Sequence, residues 1–291
     1  MSMHYDKLEV NMIRIITDSA ADFEQDELQR LNITCIPLNV FFGDREYTDD
    51  GSLTKQRFYE LLAETDTFPK TAQASPQILM DLFEEADKAG DDAIYITLSS
   101  ALSGTYMNAV MTKNLVGSPR CHVVDSRNGT GGQRMLVEIA AKLRDEGKTA
   151  AEIVAEIEAL RSRVTLYACI NTLEYLYLGG RISQTTYKLG TLANIKPIIN
   201  VDEAGRVAVP GKAMGMRKGM DTLCKYTQQF PRDGKYPFCL MYTSNKAVAE
   251  ELGQQLSRYG IDAGDNYCQV GPAIGSHIGP EACGLVYIRK T

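Results

Sequence analysis

Two α/β domains are predicted, an N-terminal Rossmann-like one on a parallel sheet and a C-terminal one on a mixed or antiparallel sheet. Three observations predict this. In the first half, short β-rich runs alternate with amphipathic helical ones, the pattern of a parallel sheet with crossover helices. In the second half the strand runs crowd together, with turn residues between them. The length, 291 residues, exceeds what one hydrophobic core usually serves.

Residues 1–11 are polar, carry acids and read as an N-terminal extension, with no secretory signal. Residues 13–16 are a buried strand, 24–31 a helix and 34–40 a second strand. Residues 58–63 and 76–89 are helices; in the latter Ile78, Leu79, Leu82, Phe83 and Ala86 form one apolar stripe. Residues 93–98 and 121–125 make the third and fourth strands, with a helix near 105–115 between them. Helices follow at 134–146 and 150–163, and Gly147 ends the first. Beyond Arg163 the texture changes: 166–170, 197–201, 206–209, 239–242, 267–270 and 285–288 read as strands. The turn Asp202-Glu203-Ala204-Gly205 joins two of them as antiparallel neighbours. The domains are therefore 12–163 and 164–291, packed directly on each other.

Composition excludes several functions. A net charge of −6 without a basic stripe argues against nucleic acid. The longest apolar runs, 94–98 and 239–242, are far short of the ~20 residues of a membrane span. The seven cysteines are scattered with no zinc spacing, so they read as core residues of a protein from the reduced cytoplasm, and no metal is expected.

In an open parallel sheet, ligands bind outside the carboxyl ends of the strands. Polar segments occupy those places: Thr17-Asp18-Ser19, the run from Ser99 to Thr105, and Asp125-Ser126, while Thr71-Ala72-Gln73-Ala74-Ser75 precedes a helix. Capping explains part of this, with Ser19 and Asp22 as one cap and Ser75-Pro76 as another. It explains less well three serines, a threonine and a glycine in the single loop 99–105. Helix starts offer unpaired N–H groups to an anion, and neutral hydroxyls suit a carboxyl that is bound and later released. The second half adds Gly179-Gly180-Arg181 and His277, the latter framed by glycines and prolines in what reads as a loop.

Taken together, Thr17-Asp18-Ser19, residues 71–75, Ser99-Ser100-x-Leu102-Ser103-Gly104-Thr105-Tyr106, Gly179-Gly180-Arg181-Ile182-Ser183, Ile195-Lys196-Pro197 and Gly271-x-x-Ile274-Gly275-x-His277-x-Gly279-Pro280 resemble the DegV family. They run in family order from about residue 12 to the end. The resemblance implies a two-domain α/β fold and a bound long-chain fatty acid, with no other cofactor. Its carboxyl would be held by Thr71 and Ser103, with His277, Arg181 and Ser100 in the head-group network. Some members are the lipid-carrying subunit of a bacterial fatty-acid kinase, which implies a carrier rather than an enzyme, with a kinase as partner.

The chain departs from the family pattern in three places. The TSQP-like motif reads Thr71-Ala72-Gln73-Ala74, Glu281 stands where a glycine is usual, and Met214 falls at the kinase-facing arginine, with Arg217 three residues on. Two alternatives remain open: a Ser/His hydrolase acting on a lipid ester, with Ser103 as nucleophile and His277 as base, or a non-catalytic structural protein. No G-x-S-x-G elbow and no phosphate-loop motif is present.

Overall fold

The computed structural model describes residues 12–188 and 194–291, so the extension at 1–11 lies outside the described residues. The first half starts with β1 (Ile13–Asp18), α1 (Gln25–Arg30) and β2 (Ile33–Ile36). Next come β3 (Asn39–Phe42), β4 (Arg45–Thr48), α2 (Lys55–Glu64), β5 (Lys70–Thr71) and α3 (Pro76–Ala89). β6 (Asp92–Thr97), α4 (Thr105–Val116) and β7 (Cys121–Asp125) complete a four-stranded parallel sheet in the order β2-β1-β6-β7. From β1 the chain winds outward to β2, then returns to the other side for β6 and β7. The switch point therefore lies between the ends of β1 and β6, where a crevice is forced open.

Helices α5 (Thr130–Asp145) and α6 (Ala150–Leu160) form a middle layer. The second half holds β8 (Val164–Cys169), α7 (Glu174–Leu178), α8 (Gln184–Lys188), β9 (Ile195–Val201), β10 (Val207–Met214), α9 (Met216–Gln229), β11 (Phe238–Tyr242), α10 (Lys246–Arg258), β12 (Tyr267–Gln269), α11 (Pro272–Ile278) and β13 (Cys283–Ile288). Its mixed sheet has the order β10-β9-β8-β13-β11-β12, and only β11 and β12 run parallel.

One apolar cluster runs from Ile15 and Ile94 through Leu136 and Ile153 to Leu166 and Val286, so α5 and α6 bury side chains against both sheets. Each such side chain contributes about 1.5–3 kcal/mol on burial. The far face of the mixed sheet is covered by α9 and α10, through residues such as Met220, Leu223 and Leu252.

The structure corrects the sequence reading in several places. The strand expected at 34–40 breaks after Ile36. Pro37 lacks the N–H that would continue the ladder, and the chain turns into β3, part of a separate three-stranded antiparallel sheet β4-β3-β5. α5 begins at Thr130 rather than 134, because Gly131 and Gly132 sit in its first turn, tight against Met241 and Asn128. α9 and α10 make the second half richer in helix than expected. The Gly/Pro segment around His277 is α11, with Pro272 at its first turn, where a missing N–H costs nothing. Ser19 caps no helix: its hydroxyl accepts from the Leu38 N–H at 3.1 Å, and Asp18 caps the short turn that follows β1.

Candidate ligand-binding site

At the switch point Asp18 is fully buried, and it holds the crevice in shape. Its carboxylate accepts from the Leu98 N–H at 2.9 Å, the Tyr95 hydroxyl at 3.2 Å, the Gln133 amide at 3.1 Å and the Ala20 N–H at 3.3 Å. Burial pushes its pKa up, and these donors pull it back toward the charged form. The Thr17-Asp18-Ser19 segment is thus a brace that fixes where the loop after β6 starts.

That loop carries Leu102 and Ser103 to the wall of a cavity that Thr71, Arg181 and His277 also line. β5 delivers Thr71, the loop after α7 delivers Arg181, and α11 delivers His277. Four of the five residues singled out in the sequence therefore converge from four separate elements.

Thr71 Oγ1 lies 2.9 Å from His277 Nε2. The imidazole is buried, and its Nδ1 has no hydrogen-bond partner. Burial, then the Arg181 charge, lowers its pKa to about 3, so the ring is neutral. A neutral ring carries one N–H, and Nδ1 faces no acceptor, which assigns the proton to Nε2. Nε2–H then donates to Thr71 Oγ1 and leaves the threonine O–H to donate into the cavity. Gly179 makes this packing possible, since a Cβ there would sit 2.1 Å from Nδ1.

The Arg181 guanidinium is half-buried, with Nε donating to the Leu102 carbonyl at 3.0 Å and Nη1 to the Gly179 carbonyl at 2.5 Å. Among the described residues no carboxylate pairs with it, and burial lowers its pKa. Desolvated positive charge without an anion invites one. Ser103 Oγ lies 2.9 Å from Thr105 Oγ1, and the same threonine oxygen accepts from the Ala74 N–H at 3.4 Å, which ties the β5–α3 link to the start of α4. Gly104 leaves room for Gln73, whose Oε1 would be 2.3 Å from a Cβ there.

Behind this polar end lies a second space, walled mainly by aliphatic side chains such as Leu166, Ala168, Ile199, Met241 and Val270. Leu102, Val207, Ile274 and Ile278 line both spaces, so the two adjoin. A polar end that adjoins an apolar compartment suits an amphiphile with one anionic head.

The comparisons agree with this geometry. A family model described as "Uncharacterised protein, DegV family" matches residues 12–290. The chain belongs to the DegV family. A DegV domain-containing protein of Caldanaerobacter subterraneus is 34% identical over 279 residues, 96% of this chain and 99% of that one. Among solved structures, a Thermus thermophilus DegV family protein whose structure concerns fatty acid binding is 29% identical with TM-score 0.86, covering 96% of this chain and all of that one. DegV of Bacillus subtilis, described as a fatty acid binding protein, is 26% identical with TM-score 0.82, again over 96% and 100% of the two chains.

Ser100, placed by sequence in the head-group network of this DegV-family chain, does not join the cavity. It is exposed, and its hydroxyl donates to Asp125 at 2.6 Å while its N–H donates to the same carboxylate at 3.1 Å. The aspartate closing β7 captures it, because the two strand ends are adjacent. The Ser103–His277 pair that the hydrolase alternative needs is not formed: the histidine meets Thr71, and Ser103 meets Thr105.

Sequence reasoning missed Gln73, and it missed the mooring of α11. The Gly271 N–H donates to the buried Asp22 at 2.9 Å and Tyr59 donates to the Val270 carbonyl at 2.9 Å. The Gly-Pro pair at 271–272 was a readable helix start; Asp22, 249 residues away, left no such signal. Met214 closes β10 and is 54% exposed, and Arg217 in the first turn of α9 is exposed too; both lie off the cavity lining. No helix among the described residues is long and apolar enough to cross a membrane, and no group of three or more His, Cys, Asp or Glu there could hold a metal.

Proposed function

We propose that this DegV-family chain binds a long-chain fatty acid, its carboxylate against Arg181, Thr71 and Ser103 and its tail in the adjoining apolar compartment, between domains 12–163 and 164–291. The observation that carries the reading is the half-buried Arg181 guanidinium, without a carboxylate partner, at the mouth of an aliphatic space. A tail of about 15 methylenes at roughly 0.8 kcal/mol each would supply on the order of 12 kcal/mol before entropic costs. The fatty-acid binding described for the Thermus and Bacillus relatives supports it. Native mass spectrometry of protein from a bacterial host tests it: a co-purifying C14–C18 acid is expected. An empty protein that fails to take up palmitate or oleate rules the reading out.

The chain serves as a carrier in the cytoplasm, not as an enzyme. Thr71 beside His277 also has the geometry of a hydroxyl nucleophile and its base. A base, however, needs its second nitrogen oriented by an acceptor, and Nδ1 has none. Turnover of nitrophenyl esters that is lost in Thr71→Val would overturn the carrier reading. The partner that receives the acid is a fatty-acid kinase, and exposed Met214 at the contact weakens that docking. Acyl-phosphate formation should rise with Met214→Arg and fall with Arg217→Ala; indifference to both removes this surface from the contact.

A further inference from the structure

The hairpin joining β9 to β10 reaches across the molecule to the loop after β6. Its turn is pinned internally by Asp202, whose carboxylate accepts from the N–H groups of Ala204 and Arg206 at 2.9 Å each. Glu203, Ala204 and Arg206 are exposed, yet Gly205 among them is buried. Its carbonyl accepts from the Ser99 hydroxyl at 2.8 Å, between residues 106 positions apart.

The contact is close-fitted on both sides. Gly205 has φ +78°, and a Cβ there would lie 2.2 Å from Ser99 Oγ and 3.1 Å from Arg127 Cα. Arg127 itself has φ 51° and donates through Nη1 to the Glu203 carbonyl at 3.3 Å. Ser99 is fully buried and its backbone N–H is held by the Asn128 carbonyl at 2.8 Å, so its hydroxyl is aimed by a rigid frame. On the outer side, Arg289 reaches the Glu203 carboxylate at 3.1 Å from an exposed position, a weak tie.

The hairpin's other end has a built-in joint. β10 is the edge strand of the mixed sheet, and its pairing with β9 shifts register between Ala208 and Gly211, where Pro210 has no N–H to give. β9 pairs with β8 only from Ile198 to Asn200, so the tip beyond Val201 is unsupported by the rest of the sheet. Between joint and tip stands Val207, one of the four residues lining both the polar and the apolar space.

We propose that the β9–β10 hairpin is the gate of the ligand cavity, hinged at the bulge around Val209 and Pro210 and latched by the Ser99 hydroxyl on the Gly205 carbonyl. Swinging the rigid tip outward withdraws Val207 from the junction of the two spaces and opens a path for the acyl chain. Ser99 is a positioning residue: it holds the gate and contacts no ligand. The latch is made equally in the closed free and closed loaded states, so it sets exchange rates and not affinity.

The inference rests on the carrier reading, and the test separates the two. Stopped-flow exchange of a fluorescent long-chain fatty acid compares wild type with Ser99→Ala and Gly205→Ala. Ser99→Ala also frees the Ala101 N–H, which donates to the same hydroxyl at 3.2 Å, and loss of the latch bond should raise association and dissociation together by roughly five- to tenfold. Kd should stay within about twofold in both variants. A wild type that does not bind the probe defeats the carrier reading. A wild type that binds, with exchange rates unmoved in both variants, defeats only the gate. A readout without ligand is also open: the chain has no tryptophan, so Ala204→Trp places a single reporter on the tip. Its fluorescence anisotropy should fall when Ser99→Ala is added, and an unchanged value rejects the hinge.

Discussion

The two ends of the cavity are built in opposite ways. At the polar end, four side chains from four elements converge: Thr71 at the end of β5, Ser103 next to Gly104, Arg181 after Gly179-Gly180, and His277 near the end of α11. At the apolar end, Leu166, Ile199 and Met241 are ordinary strand residues from three strands of one sheet, and their neighbours along the chain look no different. The polar end is thus specified by local backbone geometry, so a single substitution there can abolish a contact. The apolar end is specified by the summed area of many side chains, so affinity is spread over it.

The sharpest way to break this contrast is Arg181→Gln. It should weaken fatty-acid binding by about 2–4 kcal/mol, because a desolvated carboxylate loses its charge partner. Binding of the matching fatty alcohol should hardly change. Calorimetric titration of both ligands checks it, and equal losses for acid and alcohol would mean that Arg181 supports packing instead of charge.

Next in size are Thr71→Val and Ser103→Ala, each expected to cost about 1–3 kcal/mol as a buried acceptor loses a donor. Unchanged palmitate affinity in both, with folding intact, would move the head group elsewhere. For the apolar end, shortening the acid should cost about 0.8 kcal/mol per methylene, with the same slope in wild type and Arg181→Gln. Different slopes would show that the two ends are coupled.

A smaller effect concerns pH. Burial raises the Asp22 pKa to about 6, with Lys55 the strongest opposing charge. The folded state therefore binds this proton more tightly than the unfolded one. The ionised group costs stability above pH 6, and that cost is relieved as pH falls through 6 toward the unfolded value near 4. Asp22→Asn keeps an oxygen for the Gly271 N–H and should flatten that stretch of the stability curve in chemical denaturation. An unaltered slope would assign it to other groups. The smallest effect expected is for Ser100→Ala, whose hydroxyl serves Asp125 at the surface: affinity should stay within about twofold. A larger loss in the same titration would return Ser100 to the head-group network.

The sequence by itself determined the alternation of strands and helices before Val164, the change in texture after it, and the residue types of the polar end. These are local properties: periodicity, turn chemistry and short motifs act over a few residues. It also exposed the turn at 202–205 as a hairpin, though not what Gly205 touches. Only the tertiary structure decided that Thr71 pairs with His277 across 206 positions, that Ser100 is taken by Asp125, and that Ser99 crosses to Gly205. It also decided that a glycine-framed histidine stands on a helix moored to Asp22. The physical reason is common to all of these: a hydroxyl or carboxylate bonds with whatever the packed layers bring within about 3 Å, and sequence spacing carries no record of that approach.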